Sequence, residues 1–254
     1  MKEWLKALHK SGASMTADWN GMMDEFHRMP QPDQGRAINK AQMEYLIECA
    51  KIAPRKEALD LGFGTGFSSV SMTAGGCDVT AVNYEAATVP RRIEAEQRFK
   101  RMCGRKPTIV EAATDRALPR LLDQGRKFGL IFIDAGHRVD DVFIDVHYSK
   151  SLCVPGGILV LDDTYYGAIR VVCEWVMTNL GHIWEPYHVL QNTISWRRTG
   201  ADAVDWTKGI VHRSQPGPPR SFDVPTENAA EFLFYPGPER RAELGFELWQ
   251  PKLS

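Results

Sequence analysis

The chain has 254 residues, 43% of them hydrophobic and 25% charged, which suits one α/β domain with appendages and a core of ordinary size. Its 31 basic residues against 32 acidic ones leave a net charge of -1, so there is no electrostatic case for nucleic acid or an anionic membrane as a partner. No apolar run is long enough to span a bilayer, residues Met1–Lys6 lack the apolar stretch of a secretory leader, and five cysteines without CxxC spacing read as reduced thiols of a cytoplasmic protein.

Residues 1–54 are helical in pattern. The stretch Ala37–Ile52 puts Ile38, Met43, Leu46, Ile47 and Ala50 at helical spacing, and Pro54 closes it. Five short apolar runs follow, Ala58–Leu61, Val79–Val82, Thr108–Val110, Leu130–Ile133 and Ile158–Leu161. Amphipathic segments separate them, such as the one from Pro90 to Met102 with Gly104 at its end. Strand, helix and strand repeated in this way predict an α/β fold with a doubly wound, mostly parallel sheet. A helix over Tyr165–Leu180 is expected to bury Ile169, Val172, Trp175 and Val176, with Gly181 as its stop.

Beyond it, Trp184–Leu190, Thr193–Arg198 and Ile210–Arg213 are expected to add an antiparallel edge to the same sheet. From Ser214 the chain holds seven of its fifteen prolines among aromatic residues, a composition too aromatic for low-complexity disorder. The organisation expected is a helical segment at 1–54, a cofactor-binding domain at 55–213 and a tail at 214–254. The tail reads as a substrate lid, a homo-oligomer arm or a surface wrap. The charged run Arg98–Arg101 reads as a solvated helical face.

The segment Asp60-Leu61-Gly62-Phe63-Gly64-Thr65-Gly66 ends the first strand and opens a helix. Glycines let the backbone turn tightly and approach a ligand closely, and the N–H groups of a helix start attract anions. The spacing is GxGxG rather than the GxGxxG of dinucleotide sites, with Phe67 where the third glycine would fall. With an acid two residues before the first glycine, this turn resembles motif I of the class I S-adenosylmethionine (SAM) methyltransferases. That resemblance implies that Asp60, Gly62, Phe63, Gly64, Gly66 and Ser68 hold the methionine end of SAM. The family's ribose-binding acid at the end of the second strand is replaced by Asn83, with Glu85 two residues on, so the ribose contact falls to one of these two. The adenine contact after the third strand falls to the backbone near Ala113.

Two further strands end in acids: Leu130–Ile133 runs into Asp134-Ala135-Gly136-His137, and Ile158–Leu161 into Asp162-Asp163. In an open α/β sheet the carboxyl ends of the strands line the ligand crevice, so these acids should converge. A single acid after a strand is often only a helix cap. Three convergent carboxylates would repel one another without a cation, and oxygen ligands select Mg²⁺ first, with Mn²⁺ or Ca²⁺ also suitable.

This constellation resembles the cation-dependent small-molecule O-methyltransferases, nearest to the branch acting on macrolide sugars such as those of mycinamicin and macrocin, with catechol O-methyltransferase more distant. The resemblance covers about residues 56–181 and rests on the DxxH of Asp134–His137 and the PGG…DD of Pro155–Asp163. It implies that Asp134, Asp162 and Asp163 bind the metal, that Asp134 also contacts the cofactor, and that His137 is the general base. The expected acceptor is a small hydroxylated molecule such as a natural-product sugar or polyphenol. A metal-independent SAM methyltransferase with an amine or other acceptor, a SAM-binding protein without catalysis and an NAD-dependent oxidoreductase are the alternatives. The GxGxG spacing and Asn83 speak against the last.

Overall fold

The computed structural model describes residues 19–84, 89–200 and 247–248. Helices α1 (Trp19–Arg28), α2 (Gln31–Gln34) and α3 (Lys40–Ile52) come first. α3 begins at a complete capping box: the Asn39 side chain accepts from the Gln42 N–H, and the Gln42 side chain accepts from the Asn39 N–H at 2.7 Å. It ends at Ala53, which Pro54 holds in an extended conformation with ψ 129°.

Strands and helices then alternate: β1 (Glu57–Leu61), α4 (Phe67–Ala74), β2 (Asp78–Asn83), α5 (Val89–Cys103), β3 (Thr108–Glu111), α6 (Thr114–Asp123), β4 (Phe128–Ile133), α7 (Val139–Leu152), β5 (Cys153–Leu161) and α8 (Gly167–Asn179). A hairpin of β6 (Trp184–Leu190) and β7 (Thr193–Arg198) follows, and β8 (Glu247–Leu248) contributes two residues. The expected strand at 210–213 lies outside the described residues, as do residues 1–18 and all of the tail but Glu247 and Leu248.

The strands form one sheet in the order β3-β2-β1-β4-β5-β7-β6-β8. Strands β1 to β5 are parallel, β7 runs antiparallel to both β5 and β6, and β8 pairs in parallel with β6. The mostly parallel, doubly wound sheet with antiparallel late strands agrees with the sequence reading.

Parallel strands covered on both faces carry unbroken apolar runs, and every residue of β4 is buried. Leu130 and Phe132 pack on one face with α3, α4 and α5, while Ile131 and Ile133 pack on the other with α6, α7 and α8. On α8, Ile169, Val172 and Val176 are buried as expected. Trp175 is only half-buried, its ring 4.3 Å from that of Phe143 on α7. The five cysteines are free and buried. Among the described residues no helix is long and apolar enough to cross a membrane.

The run Arg98–Arg101 departs from the solvated face that its charge suggested. Arg101 is exposed, but Arg98 is buried, because α5 turns it under the glycine-rich loop where acceptors await it.

Strand register builds the site. Leu61 pairs with Val82 and Ile133, and Ile133 with Leu161. The next residues, Gly62, Asn83, Asp134 and Asp162, therefore form one row along the carboxyl edge of the sheet. The backbone continues the ladder there: Gly62 N–H donates to Val82, Asp134 N–H to Leu61 and Asp162 N–H to Ile133, at 2.8–3.0 Å. The order reverses between β1 and β4, the crevice where open α/β sheets bind ligands.

Candidate active site

A cavity of about 820 Å³ opens above this row. It is lined by Gly62, Gly64 and Thr65 of the glycine turn, with Asn83, Tyr84 and Ala113, and by Asp134, His137, Asp162, Asp163, Tyr165 and Tyr166.

The three turn glycines differ in what they do. Gly62 has φ 108°, and a Cβ there would lie 2.0 Å from the Asp134 carbonyl oxygen, so close approach to the end of β4 requires glycine. Gly64 has φ 47° and meets no neighbour nearer than 3.8 Å, leaving its Cβ direction open. Gly66 stands behind the cavity wall, where it caps α4 and packs against the Phe63 ring. Phe63 borders the cavity, yet its ring is fully buried and tilted against Phe99 at 6.4 Å.

Asp60 also lies behind the wall, fully buried on β1. Its Oδ2 accepts from Ser68 at 2.7 Å and from Ser69, while its Oδ1 has no hydrogen-bond partner. Burial pushes its carboxyl up to about 7 against the pull of the two hydroxyls. Of the two ribose candidates, Asn83 is buried at the end of β2 and lines the cavity, and Glu85 lies outside the described residues.

The acids themselves divide. The chain turns at Asp163, whose φ of 58° is a left-handed conformation that aspartate tolerates better than most side chains. This turn sends Asp162 and Asp163 to different partners. The Asp163 carboxylate lies 3.1 Å from His137 Nε2 and accepts from Asn192 Nδ2 at 3.1 Å. His137 Nε2 is 3.7 Å from Asp134, and the imidazole stacks on Tyr166 at 4.7 Å, with Tyr165 4.3 Å beyond. Asp134, His137 and Asp163 can place one ligand atom each within 4.8 Å of one another.

Asp162 is not in that group. It is 4% exposed and accepts from Gln42 Nε2 at 2.7 and 2.8 Å and from Thr193 Oγ1 at 2.7 Å. The histidine expected to stand beside a three-aspartate site thus occupies one of its corners.

Charge crowding marks these acids. Burial raises the Asp134 carboxyl to about 6 and that of Asp162 to about 8, with repulsion between the acids adding to the rise. His137 moves the same way for the opposite reason: hydrogen bonds to Asp134 and Asp163 stabilise its imidazolium and lift it to about 10. The donor set fits a divalent cation, because two convergent carboxylates already bind one positive charge, the protonated ring between them.

Sequence reasoning missed Gln42, Asn192 and Thr193, which hold the aspartates, and the stacked Tyr165 and Tyr166. The tyrosines directly follow Thr164 in the acidic turn, and that proximity was a usable signal. Gln42 and Asn192 lie 120 and 29 residues from their partners, and nothing local announces such pairings.

The strand order, the glycine turn and the row of acids together define the Rossmann-like class I methyltransferase fold. Residues 59–164, from β1 to the acidic turn, match the family model described as a methyltransferase domain. Solved structures share the fold. An O-methyltransferase of Bacillus cereus in complex with S-adenosylhomocysteine (SAH) superposes with a TM-score of 0.58 at 13% identity, covering 78% of this chain and 99% of that one. An SAH-bound methyltransferase of Podospora anserina gives 0.60 at 15% identity, over 78% and 94% of the two chains. The SAM-bound O-methyltransferase TomG of Streptomyces achromogenes, involved in tomaymycin synthesis, gives 0.56 at 17% identity, over 76% and 95%. A search of curated proteins found no match.

Proposed function

We propose that this chain transfers a methyl group from SAM to a hydroxyl oxygen of a small molecule, with a divalent cation at the acidic cluster. The observation that carries the reading is one cavity of about 820 Å³ that is lined both by the glycine turn and by Asp134, His137 and Asp163. Methyl transfer needs a donor and an acceptor oxygen in line within one enclosed space, and such alignment can lower a barrier by roughly 7–11 kcal/mol in the best intramolecular models.

The cofactor would supply an electrophilic methyl on a sulfonium, and Mg²⁺ or Mn²⁺ on Asp134 and Asp163 would supply Lewis acidity that makes a hydroxyl easier to ionise. The chain's own residues do the rest. The glycine turn lets the backbone approach the methionine end, and the unpartnered Asp60 Oδ1 beneath it favours a positive group above. Asn83 offers its amide to the ribose at the end of β2. His137 stands beside both carboxylates and can take the hydroxyl proton once a cation competes for them, since the two hydrogen bonds that hold its own proton are then relieved. Tyr165 and Tyr166 line the same cavity and would flank the acceptor. The acceptor expected is a small natural-product molecule with adjacent oxygens that can chelate the ion.

The 3.1 Å contact of His137 with Asp163 also favours a second reading, a metal-free transferase in which the imidazolium neutralises the acids itself. Isothermal titration with SAH and a methylation assay over catechols, sugars and amines, with Mg²⁺ and with EDTA, separate the two. We expect SAH binding, O-methylation restored by Mg²⁺ after chelation, and a 10²–10⁴-fold loss of turnover in His137→Ala with SAH affinity retained. Full activity in EDTA supports the metal-free reading, and a protein that binds no SAH ends both.

A further inference from the structure

Arg98 is a large cation held almost out of solvent, with its side chain 5% exposed. Burying a guanidinium costs several kcal/mol unless its donors are met, so its partners are informative. Nη1 donates to the carbonyl of Thr65, inside the glycine turn, at 2.8 Å. Nη2 donates to Glu94, one helical turn earlier, at 2.9 Å. Nε lies 3.6 Å from Glu25 on α1, and the guanidinium sits 5.4 Å from the centre of the Phe67 ring at the start of α4.

The Thr65 carbonyl matters because of what its peptide must do. Gly62, Gly64 and Gly66 all have positive φ, so the turn is made of flexible units whose peptide planes can rotate. The plane between Thr65 and Gly66 is pinned at both ends: Arg98 holds the oxygen, and the Gly66 N–H donates to Phe63 at 2.7 Å. Without Arg98 only the second bond remains, and the carbonyl loses its charged donor in a place water does not reach. The turn around Thr65 forms part of the wall of the cavity assigned to the cofactor.

We propose that Arg98 is a positioning residue for the cofactor: it fixes the peptide plane of the glycine turn, and through Glu25 it ties that turn to helix α1. The proposal rests on the cofactor reading of the cavity. Glu25 sits at the centre of this tie, bonded to Arg101 at 2.8 Å as well as facing Arg98, and these arginines hold its carboxyl below the ordinary range. α1 thereby supports the cofactor site without lining it.

The experiment is isothermal titration of SAH into the full chain and its Arg98→Met, Arg98→Lys and Glu25→Gln variants, with melting temperature and amide hydrogen exchange measured on each. Arg98→Met should weaken SAH about tenfold, the worth of one hydrogen bond to a charged donor. Arg98→Lys, which keeps a charged donor, should recover part of that loss, and Glu25→Gln should cost about threefold. Exchange at Gly64 and Gly66 should quicken in Arg98→Met more than exchange in β4 does. Should Arg98→Met fail to fold, the lysine and Glu25 variants carry the same comparison. If the folded variants bind SAH as the wild type does, with no quickened exchange in the turn, the proposal is overturned. A wild-type protein that binds no SAH overturns the cofactor reading instead, and the exchange result then still reports whether Arg98 orders the turn.

Discussion

Gly62 and Gly64 have the same side chain and opposite demands. At Gly62 a methyl group would collide with the Asp134 backbone at 2.0 Å and meet φ 108°, so Gly62→Ala forces β1 and β4 apart. It should cost about 3 kcal/mol or more in chemical denaturation, in the range of backbone clashes with no flexible neighbour. Gly64→Ala should cost only about 1–2 kcal/mol, the strain of a left-handed alanine. Its methyl group points into open space at the cavity, so the larger effect should be on SAH affinity. Equal stabilities for the two variants would remove the steric argument at Gly62.

Asp145 on α7 poses a pH question. It is 0% exposed and neither carboxylate oxygen has a hydrogen-bond partner, and burial raises it to about 7. Nearby Asp141 and Asp115 push in the same direction. Between about pH 4 and pH 7 the folded protein then binds more protons at this site than the unfolded chain does, so stability falls as pH rises through that window. Asp145→Asn should be more stable than the wild type above pH 7, by about 2–4 kcal/mol, with the gap closing towards pH 4. Denaturation curves across that range check it, and a constant gap would show that Asp145 does not titrate there.

At the scale of elements, α3 shows how a local signal can carry a distant load. Asn39 and Gln42 form an ordinary capping box, and the same Gln42 amide holds Asp162 at the end of β5, while Asn39 donates to Gln191 at the β6–β7 turn. Asn39→Ala should therefore cost about 1 kcal/mol, the usual worth of a cap. Gln42→Ala should cost about 1–3 kcal/mol more, because a buried carboxylate loses its donor as well. Urea unfolding of both variants measures the difference, and equal losses would mean that Asp162 gains nothing from Gln42.

The capping box was visible in the residues Asn39 and Gln42, but the reading of this stretch took only its apolar spacing and placed the helix start near Ala37. The strands were legible for a simpler reason. β4 and the buried end of β5 are apolar on both faces, so runs such as Leu130–Ile133 and Ile158–Leu161 stand out without any knowledge of the sheet. β6 and β7 were legible to the residue.

For the molecule as a whole, the row of Gly62, Asn83, Asp134 and Asp162 would make the proposed ligand binding a property of the sheet rather than of one loop. A ligand that bridges β1, β2 and β4 should stabilise the folded state by about 2.7 kcal/mol at a hundred times its Kd. A thermal-shift titration with SAH should show that rise, and Mg²⁺ should add to it if the acids hold a cation. No shift with either would count against a site on this edge.

The sequence by itself determined the fold class and which residues stand along the carboxyl edge of the sheet, because βα periodicity and strand ends are local and that edge follows from them. It also pointed to the segments that line the cavity, the glycine turn and the acid-ended strands. Tertiary structure alone decided how those residues are used. Adjacent aspartates were expected to share one task, yet the left-handed turn at Asp163 gives Asp163 to His137 and leaves Asp162 to Gln42 and Thr193. A charged run was expected to face water, yet α5 turns Arg98 beneath the glycine loop. In both cases the deciding partner lies 26 or more residues away, and a side chain's charge says what it needs, while only the packed chain says which atom meets that need.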